Sequence, residues 1–195
     1  MKLSSLQWNI IIALAALLLF LPFLGSVHLF DWDEINFAEA AREMILTDDY
    51  SRVQINFQPF WEKPPLFLWM QALSMTVFGV NEFAARFPNA LCGLATLLVL
   101  FNIGSKLYNH NFGLLWTIAY AGSLLPQFYF RSGIIDPWFN LFIFLGIYQA
   151  IIYTSPASQH KLNNIILSAF FIAVSYTHLR AHETKANLVC RLLLE

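Results

Sequence analysis

Residues 10–30 read IIIALAALLLFLPFLGSVHLF, and residues 31–34 continue directly as DWDE. An apolar run of about 20 residues is long enough to cross a bilayer as a helix. The run is too long for a signal peptide, contains Pro22 and lacks a small-x-small cleavage site. We therefore interpret it as a retained first transmembrane helix that ends at an acidic segment on one membrane face.

The composition also indicates a polytopic membrane protein. Hydrophobic residues make up 58% of the 195 residues and charged residues only 12%, more apolar surface than a soluble domain of this size can bury. The net charge of −1 does not favour nucleic acid as a partner, and two cysteines cannot form a disulfide framework. Three more spans are predicted, residues 87–104, 112–130 and 137–153, and a fifth, residues 165–174, stops early.

The charges predict which segments lie outside the hydrocarbon. Nine of the twelve acidic residues lie between residues 31 and 86, and each charge costs about 2.5–3.5 kcal/mol at the bilayer centre. Within this segment, residues 64–78 are apolar but short, which favours an interfacial or re-entrant helix over one that crosses, although a crossing helix stays open. Without that crossing, Lys2, Lys106 and Lys161 share the cytoplasmic side, and the acidic segment and Asp136 share the opposite face.

Residues 31–46 are predicted to form an amphipathic helix at the membrane face. The apolar side of this helix is expected to carry Phe37, Ala41, Met44 and Ile45. The polar side is expected to carry Asn36, Glu39 and Glu43. Capping also explains the acidic start, with Asp31 as the N-cap, Glu34 as its capping-box partner and Asp33 complementing the helix dipole. The spacing alone favours this capping interpretation.

Two further motifs place ionisable groups at the ends of apolar runs. Lys63, in the motif Glu62-Lys63-Pro64-Pro65, can pair with a lipid phosphate, or it can simply extend to the interface. Arg131 and Asp136 are the only charged residues between two long apolar runs, which makes them functional candidates. Asp136 also precedes a proline and is a good N-cap.

Taken together, these groups match the chemistry of glycosyl transfer from a lipid phosphate. A general base would remove the proton from an acceptor hydroxyl as it attacks the sugar. Cations would stabilise the charge that develops on the departing phosphate. The sequence predicts that the acids and the cations share one bilayer face.

Four separated motifs also give the chain a resemblance to a known family. Residues 33–44 read DEINFAEAAREM, residues 60–66 read FWEKPPL, residues 78–86 read FGVNEFAAR and residues 135–137 read IDP. In order and spacing they resemble the GT-C glycosyltransferases, most closely the group of the aminoarabinose transferase of lipid A and related protein O-mannosyltransferase-like enzymes. The resemblance covers roughly residues 5–174.

The resemblance implies an all-α, polytopic integral membrane protein with a GT-C-like N-terminal transmembrane domain and amphipathic juxtamembrane helices. The resemblance implies Asp33 as catalytic base, Asp136 as its helper and Lys63 as a contact of the lipid phosphate. We add Arg131 as a second phosphate contact because of its position, and Glu34 and Arg42 as supporting residues. The resemblance also links Glu62 to a metal, with a histidine partner further along the chain. A divalent metal ion therefore stays open as a cofactor.

The leading hypothesis is an inverting hexosyl- or pentosyltransferase of the inner (plasma) membrane, with a cytoplasmic N-terminus and an extracytoplasmic site. Its partners would be a polyprenyl-phosphate-linked sugar, a lipid A-like or protein acceptor, and membrane lipids. The alternatives are a transporter or flippase and a non-enzymatic membrane scaffold. Residues 1–174 are interpreted as the N-terminal part of the domain, whose activity alone is in question, and residues 175–195 as a non-native tail.

Overall fold

A computed structural model of the protein describes residues 4–60, 63–155 and 160–175. Its helices are α1 Ser5–Phe20, α2 Asp33–Thr47, α3 Leu66–Phe78, α4 Glu82–Leu107, α5 His110–Ala121, α6 Leu124–Tyr129, α7 Asp136–Thr154 and α8 Lys161–Ser175. Two short strands, β1 Gln54–Ile55 and β2 Gln58–Pro59, pair in an antiparallel hairpin. The predicted all-α class is confirmed, and the hairpin is a small addition that the sequence did not predict.

Two helices in the described ranges are long and apolar enough to cross a bilayer, α4 and α7. The predicted span 137–153 is confirmed as α7, and the predicted span 87–104 lies within the longer α4. The predicted helix over residues 10–30 is wrong in its second half, because α1 ends at Phe20. Pro22 follows two residues later, and a proline cannot donate the backbone hydrogen bond that would continue the helix.

The predicted span 112–130 is also wrong as a single helix. It is divided into α5 and α6, with Gly122 and Ser123 between them. Pro126, the third residue of α6, has no N–H to donate to the carbonyl of Gly122, whereas the first turn of a new helix does not need that donor. The fifth predicted helix is longer than expected, since α8 begins at Lys161.

Helix α4 is the centre of the structure and contacts α1, α3, α5 and α7. Its close approach to α5 depends on glycine, because a Cβ at Gly113 would lie 2.6 Å from the Phe101 carbonyl oxygen. Small residues at such crossings let helices pack closely within a membrane. On the α1 side, the edge-to-face rings of Phe20 and Phe130 lie 5.1 Å apart beside Gly93.

Helix α2 packs its apolar side against α3, as the predicted amphipathic pattern requires. Phe37, Ala41 and Met44 are buried. The assignment of Glu43 to the polar side is wrong, since its side chain is only 1% exposed and its Oε2 accepts a hydrogen bond from the Phe57 N–H at 2.9 Å. Glu43 thereby fixes the β-hairpin turn, whose central residues have the positive φ angles typical of a type I′ turn.

Candidate active site

A buried ion pair joins the first turn of α2 to α4. Arg86 donates from Nε to Glu34 Oε1 at 2.8 Å and from Nη2 to Glu34 Oε2 at 2.9 Å. The two side chains are only 3% and 1% exposed. Two parallel hydrogen bonds between a guanidinium and a carboxylate fix orientation as well as distance. Glu34, predicted as a supporting residue, therefore joins α2 to α4 through a residue 52 positions away in sequence. We call this contact, together with the other hydrogen bonds of the Glu34 carboxylate, the Glu34 anchor.

The remaining donors of Arg86 hold the connection between α1 and α2. Its Nη1 donates to the carbonyl oxygens of Leu24 and Val27 at 3.0 and 2.7 Å, and Nη2 donates to that of His28 at 3.0 Å. A guanidinium has five N–H donors, and all five of Arg86 are used in this way. The pair with Glu34 and these three carbonyl contacts determine where the chain enters α2.

Glu34 also binds the segment that leads into α7. Its Oε1 accepts from the Gly133 N–H at 2.5 Å, and its Oε2 accepts from the Phe30 N–H at 2.7 Å. Asn89 of α4 secures the same segment, because its Nδ2 donates to the carbonyl oxygens of Ser132 and Ile134, both at 2.6 Å. The segments that carry Asp33 and Asp136 are thus held side by side.

Gly133 fits this place because it has no side chain. An added Cβ would lie 3.1 Å from the Ala85 carbonyl oxygen, 3.1 Å from Gln71 Nε2 and 3.3 Å from Glu34 Cγ. We expect Gly133→Ala to lower the free energy of unfolding by about 1–3 kcal/mol, the usual cost of overpacking. Thermal unfolding of the purified protein measures this. Gly122→Ala, whose Cβ would meet only backbone oxygens at 3.2 Å or more, should cost less, and equal costs would contradict the assignment.

Asp33 and Asp136 are the first residues of α2 and α7, respectively, and both are partly buried. Neither predicted N-cap is found. Trp32 occupies the N-cap position of α2 with φ 79° and no side-chain cap, and Ile135 occupies that of α7. The capping interpretation of Asp31 and Asp136 is therefore wrong, whereas Asp33 lies in the first turn of α2, where it can complement the helix dipole as predicted.

Lys63, one of the predicted phosphate contacts, lies against α2. It is only 6% exposed, and its Nζ lies 5.4 Å from the centroid of the Phe37 ring, within the range of a cation–π contact. Phe37 is one turn beyond Asp33, so Lys63 is close to the same end of the helix. Arg131 is exposed, and its Nη2 donates to the Leu19 carbonyl oxygen. Lys63 thus contacts a residue of α2, and Arg131 contacts a residue of α1.

Arg42 is paired on the outer side of α2. Its Nε and Nη2 donate to the two carboxylate oxygens of Glu39 at 2.8 and 2.5 Å, and these hydrogen bonds lower the pKa of the Glu39 carboxyl from its ordinary value. Both residues line a cleft of about 500 Å³ between α2, the hairpin and the start of α4. Arg42 therefore supports this outer cleft rather than the Glu34 anchor.

The predicted metal ligand Glu62 lies outside the described residues. Within residues 4–60, 63–155 and 160–175, no three His, Cys, Asp or Glu side chains are grouped closely enough to hold a metal ion. The divalent metal ion with Glu62 as its ligand therefore stays a prediction.

Comparison of the chain with known proteins identifies its family. The profile of the dolichyl-phosphate-mannose-protein mannosyltransferases matches residues 62–178, more than half of the chain. The chain belongs to this mannosyltransferase family. The match includes the segment before α7 and reaches beyond Ser175, the last described residue. The interpretation of residues 175–195 as a non-native tail stays a prediction.

Relatives of this mannosyltransferase-family chain include two curated bacterial enzymes named undecaprenyl phosphate-alpha-4-amino-4-deoxy-L-arabinose arabinosyl transferase. The enzyme from Shewanella sediminis is 26% identical over 87% of this chain, and the second enzyme of that name from Pseudomonas fluorescens is 34% identical over 54% of it. The alignments cover 31% and 19% of those relatives. At its longest, the match therefore spans about a third of a relative's length.

Solved structures confirm the predicted GT-C-like membrane fold of this family member. The crystal structure of ArnT from Cupriavidus metallidurans bound to undecaprenyl phosphate superposes with a TM-score of 0.80, at 19% identity, over 90% of this chain and 33% of that one. The apo state gives a TM-score of 0.79. At this identity the likeness establishes the fold.

Arg86, Gly133 and Asn89 were not predicted as site residues. Arg86 ends the motif of residues 78–86, but no role was predicted for it. Its signal was a charge inside the apolar stretch 83–92, since a charge so placed needs a partner or a function. Gly133 and Asn89 gave no comparable signal, because Gly133 donates to a side-chain carboxylate and Asn89 to a backbone carbonyl, each more than 40 positions away.

Proposed function

We propose that the protein is an inverting glycosyltransferase that moves a sugar from a polyprenyl phosphate to a hydroxyl acceptor, and that this chain forms the N-terminal part of its site. The observation that carries the proposal is the Glu34 anchor, which holds the segments of Asp33 and Asp136 together through Arg86 and the Gly133 N–H. Lys63 lies near the same end of α2. An acid and a cation thus share one end of the helix.

In the proposed reaction, Asp33 accepts the proton of the acceptor hydroxyl as the hydroxyl oxygen attacks the anomeric carbon. The bond from that carbon to the phosphate oxygen breaks, and the polyprenyl phosphate leaves with the electron pair. Lys63 stabilises the negative charge on the leaving phosphate. Asp136 orients Asp33 or the acceptor. A single displacement of this kind inverts the configuration at the anomeric carbon.

The relatives support the class of donor. The family takes its name from a dolichyl-phosphate-linked mannose, and the curated relatives are named for an undecaprenyl-phosphate-linked aminoarabinose. Both donors are polyprenyl phosphates that carry a sugar, so the lipid phosphate is their shared chemistry. We propose a lipid A-like lipid or a protein as acceptor. We also propose that the protein lies in the inner membrane with a cytoplasmic N-terminus. The end of α1 nearest α2 would then lie on the extracytoplasmic side.

The proposed phosphate contact gives a direct test. Lys63→Met should lower kcat/KM for a polyprenyl-phosphate sugar about 10- to 100-fold, since a hydrogen bond to a charged group contributes roughly 1.5–3 kcal/mol. The assay measures sugar transfer in lipid nanodiscs by the full-length protein, of which we propose this chain to be the N-terminal part.

Lys161→Met is the matched control, because Lys161 is exposed at the start of α8 and is predicted to face the cytoplasm. It should leave kcat/KM unchanged. Equal activity of a folded Lys63→Met variant would remove Lys63 from donor binding. A protein that transfers no sugar from any polyprenyl phosphate would contradict the proposed function as a whole.

A further inference from the structure

A second, apolar cleft lies between α3, α4 and α7, and its lining includes none of Glu34, Arg86 and Gly133. Its volume is about 380 Å³, within the usual range of ligand pockets. Leu73, Val77 and Leu91 line it and are 69%, 66% and 40% exposed, so the cleft opens on the outer surface of the helices. Exposed apolar side chains of this kind suit contact with acyl chains. We infer that the cleft is entered sideways from the bilayer.

Two polar atoms make this cleft more than an apolar surface. Ser74 and Trp138 line it, and Ser74 is only 6% exposed. Ser74 Oγ and Trp138 Nε1 are buried and have no hydrogen-bond partner within the described part of the chain. An unpaired buried polar group costs about 1–3 kcal/mol, and the bilayer core has no water to satisfy it. Both groups can donate, so an oxygen acceptor from a ligand would satisfy them.

The position of Trp138 shows at which depth that oxygen would lie. Trp138 is in the first turn of α7, a helix long and apolar enough to span the bilayer. The end of a spanning helix lies at the membrane interface, where tryptophan is enriched. The ester carbonyls of phospholipids lie at this level, directly above their acyl chains. An isoprenoid chain, by contrast, carries no oxygen along its length.

We propose that this cleft binds a phospholipid of the surrounding bilayer. One acyl chain lies along Leu73, Val77 and Leu91, and its ester carbonyl oxygen accepts hydrogen bonds from Ser74 and Trp138. The site does not include the proposed donor-site residues Asp33, Lys63 and Asp136 in its lining. It would hold α3 against α4 and α7, and so support the loop from which Lys63 extends.

Photolabelling in nanodiscs tests the proposal. A phosphatidylcholine with a diazirine on its ester-linked acyl chain should label peptides of α3, α4 and α7 that line the cleft. Leu73→Trp fills the cleft and should reduce this labelling at least about five-fold. Leu115→Trp, at a leucine of α5 that is 67% exposed, is the matched control and should change nothing. Labelling spread evenly over the apolar surface would overturn the site.

Competition with unlabelled lipids identifies the occupant. Ester-linked phosphatidylcholine should compete about five-fold or more better than its ether-linked analogue, as expected for two hydrogen bonds to one carbonyl. The double variant Ser74→Ala/Trp138→Phe should lose this preference while keeping its melting temperature. Equal competition by ester and ether lipids in the unsubstituted protein would overturn the proposal. Displacement by polyprenyl phosphate at an equal mole fraction would also overturn it, because the cleft would then belong to the sugar carrier.

Discussion

Glu34→Ala should lower the free energy of unfolding by about 3–5 kcal/mol, the usual cost of leaving one member of a buried ion pair without its partner. The Arg86 guanidinium would stay 3% exposed with a positive charge and two unused donors. The N–H groups of Gly133 and Phe30 would lose their acceptor as well. Thermal unfolding in detergent, followed by circular dichroism, measures the loss.

The control for this prediction is the second arginine–glutamate pair of the same helix. Glu39 and Arg42 form the same kind of contact, but their side chains are 33% and 37% exposed. Glu39→Ala should therefore cost no more than about 1 kcal/mol. A double-mutant cycle with Arg86→Met would show whether the large loss comes from the unpaired charge. If Glu34→Ala and Glu39→Ala destabilise equally, the Glu34 anchor does not organise the site.

Asp33→Asn should reduce the turnover of sugar transfer by about 10²–10⁴-fold, the usual contribution of a general base. The amide keeps the size of the carboxylate but cannot accept the proton of the acceptor hydroxyl. Loss of the base should appear mainly in kcat, because the proton moves in the transition state. Steady-state kinetics of the protein in nanodiscs, with a saturating polyprenyl-phosphate sugar, separates this effect from donor binding.

Two further substitutions serve as controls for the Asp33→Asn measurement. Asp31→Asn changes a neighbouring, exposed aspartate and should leave turnover unchanged. Asp136→Asn should reduce turnover by less than Asp33→Asn, since a helper orients the base and does not take the proton itself. Full turnover in a folded Asp33→Asn variant would end the assignment of Asp33 as base. An equal loss in Asp31→Asn would point to the overall charge of the loop instead.

Much of the architecture could be predicted from the sequence, because length and polarity dominate in a membrane protein. Runs of apolar residues located α4 and α7, and the spacing of Phe37 and Met44 gave the buried side of α2. Helix ends were predicted less well. Proline and glycine interrupt two runs that are apolar over most of their length, and hydropathy alone does not detect such a break.

The polar contacts of the site were harder to predict, since they join residues that are distant in sequence. Glu34 fitted a capping box with Asp31, and only the fold shows that it pairs with Arg86 instead. Glu43 was placed on the polar side of α2 because a buried carboxylate and an exposed one give the same sequence pattern. Its acceptor role depends on the Phe57 N–H, which the hairpin turns toward it.

Arg86 has a consequence for how an anionic donor could be recognised. Each of its N–H groups already has an oxygen partner within the protein. An incoming phosphate would have to displace one of these bonds and weaken the frame that carries Asp33. The positive charge of Arg86 is therefore committed to architecture. Recognition of the donor therefore falls to cations outside this frame, and Lys63 is the one that we propose.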